Sequence, residues 1–226
     1  MRNLLIAIMV LLASAAHAGK TYTLENKDGR YFSTGAITIG KQDKETFGAA
    51  VLWALEQAGA TEKAKSAIES YDPKELKLSL KPSVPSGDYN YTFLLTMQAK
   101  DGKLLYLIEG IRCMPKGMLG AFSTVNFDKV NLVKKPQHKE FIDRFDVILD
   151  EYIPLIATAV KANNMDLTHW EAIVKGQVVK GMTENECLMA AGKPANIVEN
   201  TQRTQWTYES GMIVVFEDGK VTAVVK

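Results

Sequence analysis

The chain has 226 residues, with 27 Lys and Arg against 26 Asp and Glu and 46% hydrophobic residues. A balance so close to neutral excludes the basic footprint that nucleic acids and anionic membranes require, where cationic side chains replace condensed counterions. The length and apolar content permit a core without disulfide staples, so Cys113 and Cys187 read as two reduced thiols, with Cys187 buried in its own helix, the alternative being a disulfide that export would allow.

In chain order, the first feature is an export signal. Arg2 precedes an apolar run over residues 4–12, and Ala16-His17-Ala18 stands before Gly19. Small residues at 16 and 18 suit the narrow subsites of a leader peptidase, which places cleavage after Ala18. The run is shorter than the ~20 apolar residues of a membrane-spanning helix. A lipid anchor would need a cysteine at the cleavage point, and the first cysteine is Cys113. Asp146, Asp150 and Glu151 interrupt the best later apolar stretch, 141–160, so the mature chain is expected to have no transmembrane segment. Losing residues 1–18 removes only Arg2 among the charged side chains, and a neutral, periplasmic or secreted protein is expected.

Residues 19–164 read as a first domain. Two short alternating runs, 21–24 and 36–39, flank Asn26-Lys27-Asp28-Gly29, which predicts strand, turn, strand. Phe47, Ala50, Val51, Ala54, Leu55 and Ala58 keep to one helix face, with Gly59 as the stop. The stretch 62–68 fits a short helix or an edge strand. Period-two runs at 75–80 and 89–97, separated by Pro82, Pro85 and Gly87, predict strands. Asp101-Gly102 then turns the second of these into 104–111, because the favoured hairpin turn needs positive φ at both central residues. After Pro136, apolar residues keep helical spacing from Phe141 to Val160, through Pro154, and Asn163-Asn164 mark a boundary.

Residues 165–226 read as a second, smaller domain. Thr168 with Glu171, and Thr183 with Glu186, have the spacing of capping boxes, in which the Thr hydroxyl takes a free amide and the Glu reaches back. Gly176 and Gly192 end the two short helices, and Pro194 prevents continuation. Three strands over 203–208, 212–217 and 220–225 follow, joined by Ser210-Gly211 and Asp218-Gly219. A meander this small needs a helical layer over its apolar face. The aromatic pair Trp206 and Tyr208 sits on one face of the first of them and reads as core.

The run 176–187 (GQVVKGMTENEC), with Gly192-Lys193-Pro194, Trp206-Thr207-Tyr208 and Phe216-Glu217-Asp218-Gly219-Lys220-Val221, resembles the SmpA/OmlA family of small outer-membrane assembly lipoproteins, related in fold to a β-lactamase-inhibitor protein. The resemblance implies an ααβββ module that binds other proteins. It departs from the family in lacking a lipidated cysteine and in following a larger domain. The strand to Ile39, the helix holding Trp53, the Lys100-Asp101-Gly102-Lys103-Leu104 hairpin and the long helix after it resemble a domain-of-unknown-function family of exported Gram-negative proteins. That resemblance implies a curved antiparallel sheet gripping helices, like the TATA-box-binding protein. The fold class expected is therefore α+β, a helix-grip sheet domain followed by an ααβββ domain.

Chemistry-bearing residues are few. His138 and His169 are the histidines left after the signal, and neither has a Cys or carboxylate at metal-ligand spacing. No phosphate loop, nucleophile elbow or Cys-x-x-Cys pair occurs. The acids at 143, 146, 150 and 151 lack the interspersed glycine of calcium loops. No catalytic residue, metal or cofactor is therefore expected. The loop-like stretch 114–122 carries Met118, Leu119 and Phe122, which either cover a core or form an adaptable contact patch. The reading that results is a non-enzymatic protein acting through contacts with another envelope or secreted protein. The alternative is a small-ligand binder using a cavity between the N-terminal sheet and its helices.

Overall fold

Asp-Gly pairs set the first turns of the fold. Strand β1 (Glu25–Lys27) reverses into β2 (Arg30–Thr38) through Asp28 and Gly29, at φ 53° and 80°. Asp101 and Gly102, at 55° and 70°, turn β6 (Tyr89–Lys100) into β7 (Lys103–Pro115). Such angles are open to glycine and tolerated by aspartate. The structure is a computed structural model that describes residues 22–57, 68–116, 124–129 and 136–226. The export signal at 1–18, the patch residues Met118, Leu119 and Phe122, and the side chain of His138 lie outside the described residues.

Helix α1 (Asp43–Gln57) follows β2 and sits close to the helix expected from spacing. Its first residue ties it to the sheet: the Asp43 carboxylate accepts the backbone N–H groups of Asp101 at 3.1 Å and Gly102 at 2.8 Å. Then come β3 (Ile68–Asp72), β4 (Lys77–Leu80), β5 (Ser83–Ser86), the β6–β7 hairpin and β8 (Val125–Asn126). The sheet runs β1-β2-β7-β6-β4-β3, with β5 on β6 and β8 on β7, and its pairings are antiparallel.

One face of this sheet is apolar and lies under α1 and the long helix α2 (Pro136–Ala162). Tyr91, Phe93, Leu95 and Met97 of β6 stand beside Leu104, Tyr106 and Ile108 of β7, all buried. An extra residue in β7 lets the buried set resume at Ile111 and Cys113, and Gly110 at φ 64° supplies the bulge. Phe145, Ile148, Leu149, Ile153 and Ile156 of α2 close the layer. Aromatic rings fill it: Tyr152 packs edge-on against Trp53 and Phe93, and Phe93 against Phe145. Gly35 of β2 faces the Tyr106 ring, where an added Cβ would lie 2.7 Å from the hydroxyl oxygen.

Two short helices, α3 (Trp170–Val174) and α4 (Glu184–Ala191), lead to a second antiparallel sheet. The meander expected there has three strands; the structure has four, β9 (Asn196–Glu199), β10 (Thr204–Thr207), β11 (Ile213–Glu217) and β12 (Lys220–Val225), in the order β12-β11-β10-β9. The added strand β9 is an exposed edge, too short and polar to show a period. Trp206, Tyr208, Val214, Phe216 and Val221 are buried on the helix side. The fold is thus α+β, a large antiparallel sheet with two helices and a smaller helix-covered sheet.

The two parts meet along α1. Phe47 stacks on Tyr71 of β3 at 5.7 Å between ring centroids and meets Trp170 of α3 edge-on at 6.3 Å. Gly48 lets the helices approach, since a Cβ there would lie 3.3 Å from the methyl carbons of Met165 and Met189.

Candidate functional site

The sequence-derived caps come to different ends. Thr183 and Glu186 form a reciprocal box at the start of α4: the Glu186 N–H donates to the Thr183 hydroxyl at 3.2 Å, and the Thr183 N–H to Glu186 Oε2 at 2.8 Å. Thr168 does not cap α3. Its hydroxyl and amide donate to Asp166 Oδ1 at 2.6 and 3.1 Å, which holds that carboxyl below its ordinary range. The residue before α3 is His169, without a side-chain cap, and Glu171 is exposed in the first turn. The physical reason is competition, since a Thr two residues after an Asp closes a local turn before it can serve the helix. Gly176 and Gly192 follow their helices at φ 66° and 75°, and the Gly192 N–H donates to the Leu188 carbonyl.

The task left open at α3 is performed by Glu186. Its carboxylate, 1% exposed, accepts the His169 backbone N–H at 3.0 Å and lies 3.0 and 3.2 Å from His169 Nδ1. One buried side chain therefore joins the starts of two helices. An acid and an imidazole in contact could polarise a nucleophile, but the hydroxyl that meets this pair, that of Thr183, donates to the Glu186 carboxylate at 3.2 Å and not to the imidazole. The pair works as a structural pin. Among the described residues no three His, Cys, Asp or Glu side chains gather to hold a metal.

Burial disfavours the thiolate at both cysteines. Cys113 and Cys187 are free and buried in different parts of the fold. Burial pushes the Cys187 thiol up to about 12, with Glu186 and Glu184 adding to it, and also raises Cys113.

Among the described residues, two surfaces stand out for recognition. The first is the outer face of the small sheet. With Trp206 and Phe216 turned toward the helices, the alternate residues point away. Cross-strand pairing then aligns Val198, Gln205, Val215 and Ala223 in one row, and Thr207, Ile213 and Val225 in the next. Val198 is 52% and Val225 56% exposed, and Ile213 and Val215 are half-buried. Aliphatic side chains grouped around Gln205 and Thr207, on a face that none of the described helices covers, are an unusual use of apolar surface.

The second is a cleft of about 360 Å³ between α1 and α4. Val51 and Leu55, one turn apart on α1, form one wall; Ile68 and Tyr71 of β3 form the floor. Leu188 and the end of α4 form the other wall, with Lys193 just beyond Gly192. Burial pushes the Tyr71 hydroxyl up to about 12 and pulls the Lys193 ammonium below its ordinary value. Sequence reasoning missed this cleft because its lining comes from three separate segments, none with a motif.

Among the described residues no helix is long and apolar enough to cross a membrane. No protein-family model matches the chain, and no curated protein does either. Among solved structures it is similar to a DUF4468-family protein from Bacteroides ovatus, 13% identical over 63% of this chain and 93% of that one, with a TM-score of 0.48. It is also similar to a TBP-like protein from Parabacteroides distasonis, 14% identical over 62% of this chain and 98% of that one, with a TM-score of 0.47.

Proposed function

We propose that this chain is an exported, non-enzymatic protein that works through protein–protein contacts in the periplasm or at the cell envelope, and that the outer face of its small sheet is the contact surface. The observation that carries the reading is the set of aliphatic residues Val198, Val215, Ala223, Ile213 and Val225, in two rows that Gln205 and Thr207 complete, turned away from the helices that cover the opposite face. Edge strand β9 adds unpaired backbone groups beside the rows, while its exposed Ile197, opposite Trp206, lies on the other face. The signal-like residues 1–18 supply the export half of the reading, and the SmpA/OmlA resemblance of residues 166–226 supports the protein-binding half.

The test uses the mature chain and its Ile213→Asp/Val215→Asp variant as bait for envelope proteins cross-linked in living cells. A discrete adduct with an envelope or secreted protein, lost in a variant that melts at the wild-type temperature, is the expected result. Equal adducts from both baits would overturn the choice of surface. Sequencing the N-terminus of the exported protein tests the rest, with Gly19 as the expected first residue and Met1 as the contrary one.

A further inference from the structure

We infer that the free edge of the small sheet, strand β9, is completed by an extended segment of a partner polypeptide, which pairs antiparallel with it as a fifth strand and sets a Lys or Arg beside Glu199. The inference rests on the reading of the small sheet as the contact surface and adds the form and charge of what docks there.

The backbone fixes which groups face outward. The Asn200 N–H donates to the Arg203 carbonyl at 3.0 Å, continuing the β9–β10 register by one step. In an antiparallel ladder, residues that exchange bonds with one neighbour alternate with residues whose N–H and C=O point away from it. Asn196, Val198 and Asn200 therefore bond toward β10, and Ile197 and Glu199 turn their N–H and C=O outward.

β9 is also the edge that the fold leaves unguarded. On the other side of the same sheet, the Gly181 N–H donates to the Val221 carbonyl at 2.9 Å and the Val221 N–H to the Met182 carbonyl at 2.8 Å, so the segment before α4 closes part of β12. In the large sheet, edge strand β1 is charged at both ends, and edge strand β3 carries two acids and a register shift. Charges, bulges and covering segments are the devices that keep an edge from pairing. β9 has no lysine, no proline and no register shift, and its charged residue, Glu199, stands at its end. It exposes Ile197 at 49% on one face and Val198 on the other. An added strand covers both, and its residue opposite Val198 prolongs the row of Val198, Gln205, Val215 and Ala223.

Charge and periodicity define the occupant. Glu199 shares the helix-side face with Ile197. Burial, and then the charge of Glu199, raise the Glu184 carboxyl at the start of α4. Neither acid has a cation partner among the described residues. A Lys or Arg opposite Glu199 gains a charge-assisted contact, whereas a second copy of this chain, pairing β9 with β9, would crowd the same acids together. From its N-terminus the docking segment therefore carries a cation opposite Glu199, then an aliphatic residue opposite Val198 and another opposite Ile197. Main-chain bonds supply the affinity of such strand addition, and the alternating side chains supply its specificity.

Amide hydrogen exchange on the full mature chain, with the peptide acetyl-STKVVTS-amide as probe, tests this. In the free protein the Ile197 and Glu199 amides should exchange roughly tenfold or more faster than those of Val198 and Asn200. The peptide should bind saturably and slow exchange at Ile197 and Glu199, and its version with Glu in place of Lys should bind roughly fivefold or more weakly. Ile197→Pro deletes an outward N–H and no bond to β10, so it should melt as the wild type does and weaken the peptide roughly fivefold, while Ile197→Val binds like the wild type. If Ile197→Pro fails to fold, the peptide N-methylated at its second valine, which removes the donor to the Ile197 carbonyl, makes the same test on the wild-type chain. No saturable binding, no slowing at Ile197 and Glu199, equal affinity for the Glu version, or wild-type binding by folded Ile197→Pro or by the methylated peptide would each overturn the inference. So would a dimer of this chain that protects the two amides without peptide. In the cross-linking experiment, adducts lost from the Ile213→Asp/Val215→Asp bait but kept by a folded Ile197→Pro bait overturn the edge alone, and adducts kept by both overturn the sheet face as well.

Discussion

Replacing Glu186 by Ala tests the pin between α3 and α4. The carboxylate accepts two backbone N–H groups, those of Thr183 at 2.8 Å and His169 at 3.0 Å, besides the Thr183 hydroxyl and the His169 ring. The hydroxyl can rotate and the imidazole, partly exposed, can turn to water, but the two amides are fixed by the helix starts. Each amide left without its charged partner costs about 1–2 kcal/mol, and the lost packing of a buried side chain brings the sum to about 3 kcal/mol. At roughly 2–4 °C per kcal/mol for a chain of this size, the melting temperature should fall by about 6–12 °C. Thermal and urea melts of wild type, Glu186→Ala, Thr183→Ala and Thr168→Ala measure it. Thr183→Ala should lose about 1 kcal/mol with its cap, and Thr168→Ala, whose hydroxyl serves an exposed turn, less than about 0.5 kcal/mol. A Glu186→Ala variant within about 0.5 kcal/mol of wild type, or Thr168→Ala costing more than Thr183→Ala, would refute the reasoning.

Gly35→Ala should destabilise by about 1–3 kcal/mol in a denaturant melt, because the new methyl meets the buried Tyr106 ring and overpacks the sheet's core face; a neutral outcome would show that the ring yields. Stability should also fall as pH rises from about 8.5 toward 12. The Cys187 thiol and the Tyr71 and Tyr106 hydroxyls reach about 12 in the fold, against roughly 8.5 and 10 when unfolded, so the unfolded chain gives up these protons first. A urea midpoint unchanged from pH 8 to 11 would contradict this. In the native protein both thiols should resist alkylation at pH 8 and react only on unfolding, and modification of either in the folded state would count against their burial.

Much of the fold is legible in the sequence where local chemistry decides geometry. Asp28-Gly29, Asp101-Gly102 and Asp218-Gly219 each adopt the positive angles that their residue types allow, and the hairpins follow. The spacing of Phe47, Val51 and Ala54 places α1, which begins at Asp43. The strands that escape notice are β3, β5, β8 and β9, with sequences IESYD, SVPS, VN and NIVE. They are short, mostly exposed strands, where one-sided burial imposes no alternation and even Pro85 is admitted opposite Asn90. The cap at Thr168 fails for a local reason, the competing turn with Asp166, and Glu186 compensates through a contact 17 residues away that no motif encodes. The cleft is illegible in the same sense. Lys193 reads as part of a Gly-Lys-Pro stop, and only the approach of α4 to α1, permitted by Gly48, brings it to the edge of the cleft that Val51, Leu55 and Leu188 line.

The central claim, that the outer face of the small sheet meets a partner, is tested most directly by site-specific photo-cross-linking in cells exporting the full chain. A benzophenone side chain at Ile213 or Val215 should give one discrete adduct with an envelope or secreted protein. The same group at Val147, 55% exposed on α2, should give none. Adducts from Val147 as strong as those from the sheet, or none from Ile213 and Val215, would contradict the account.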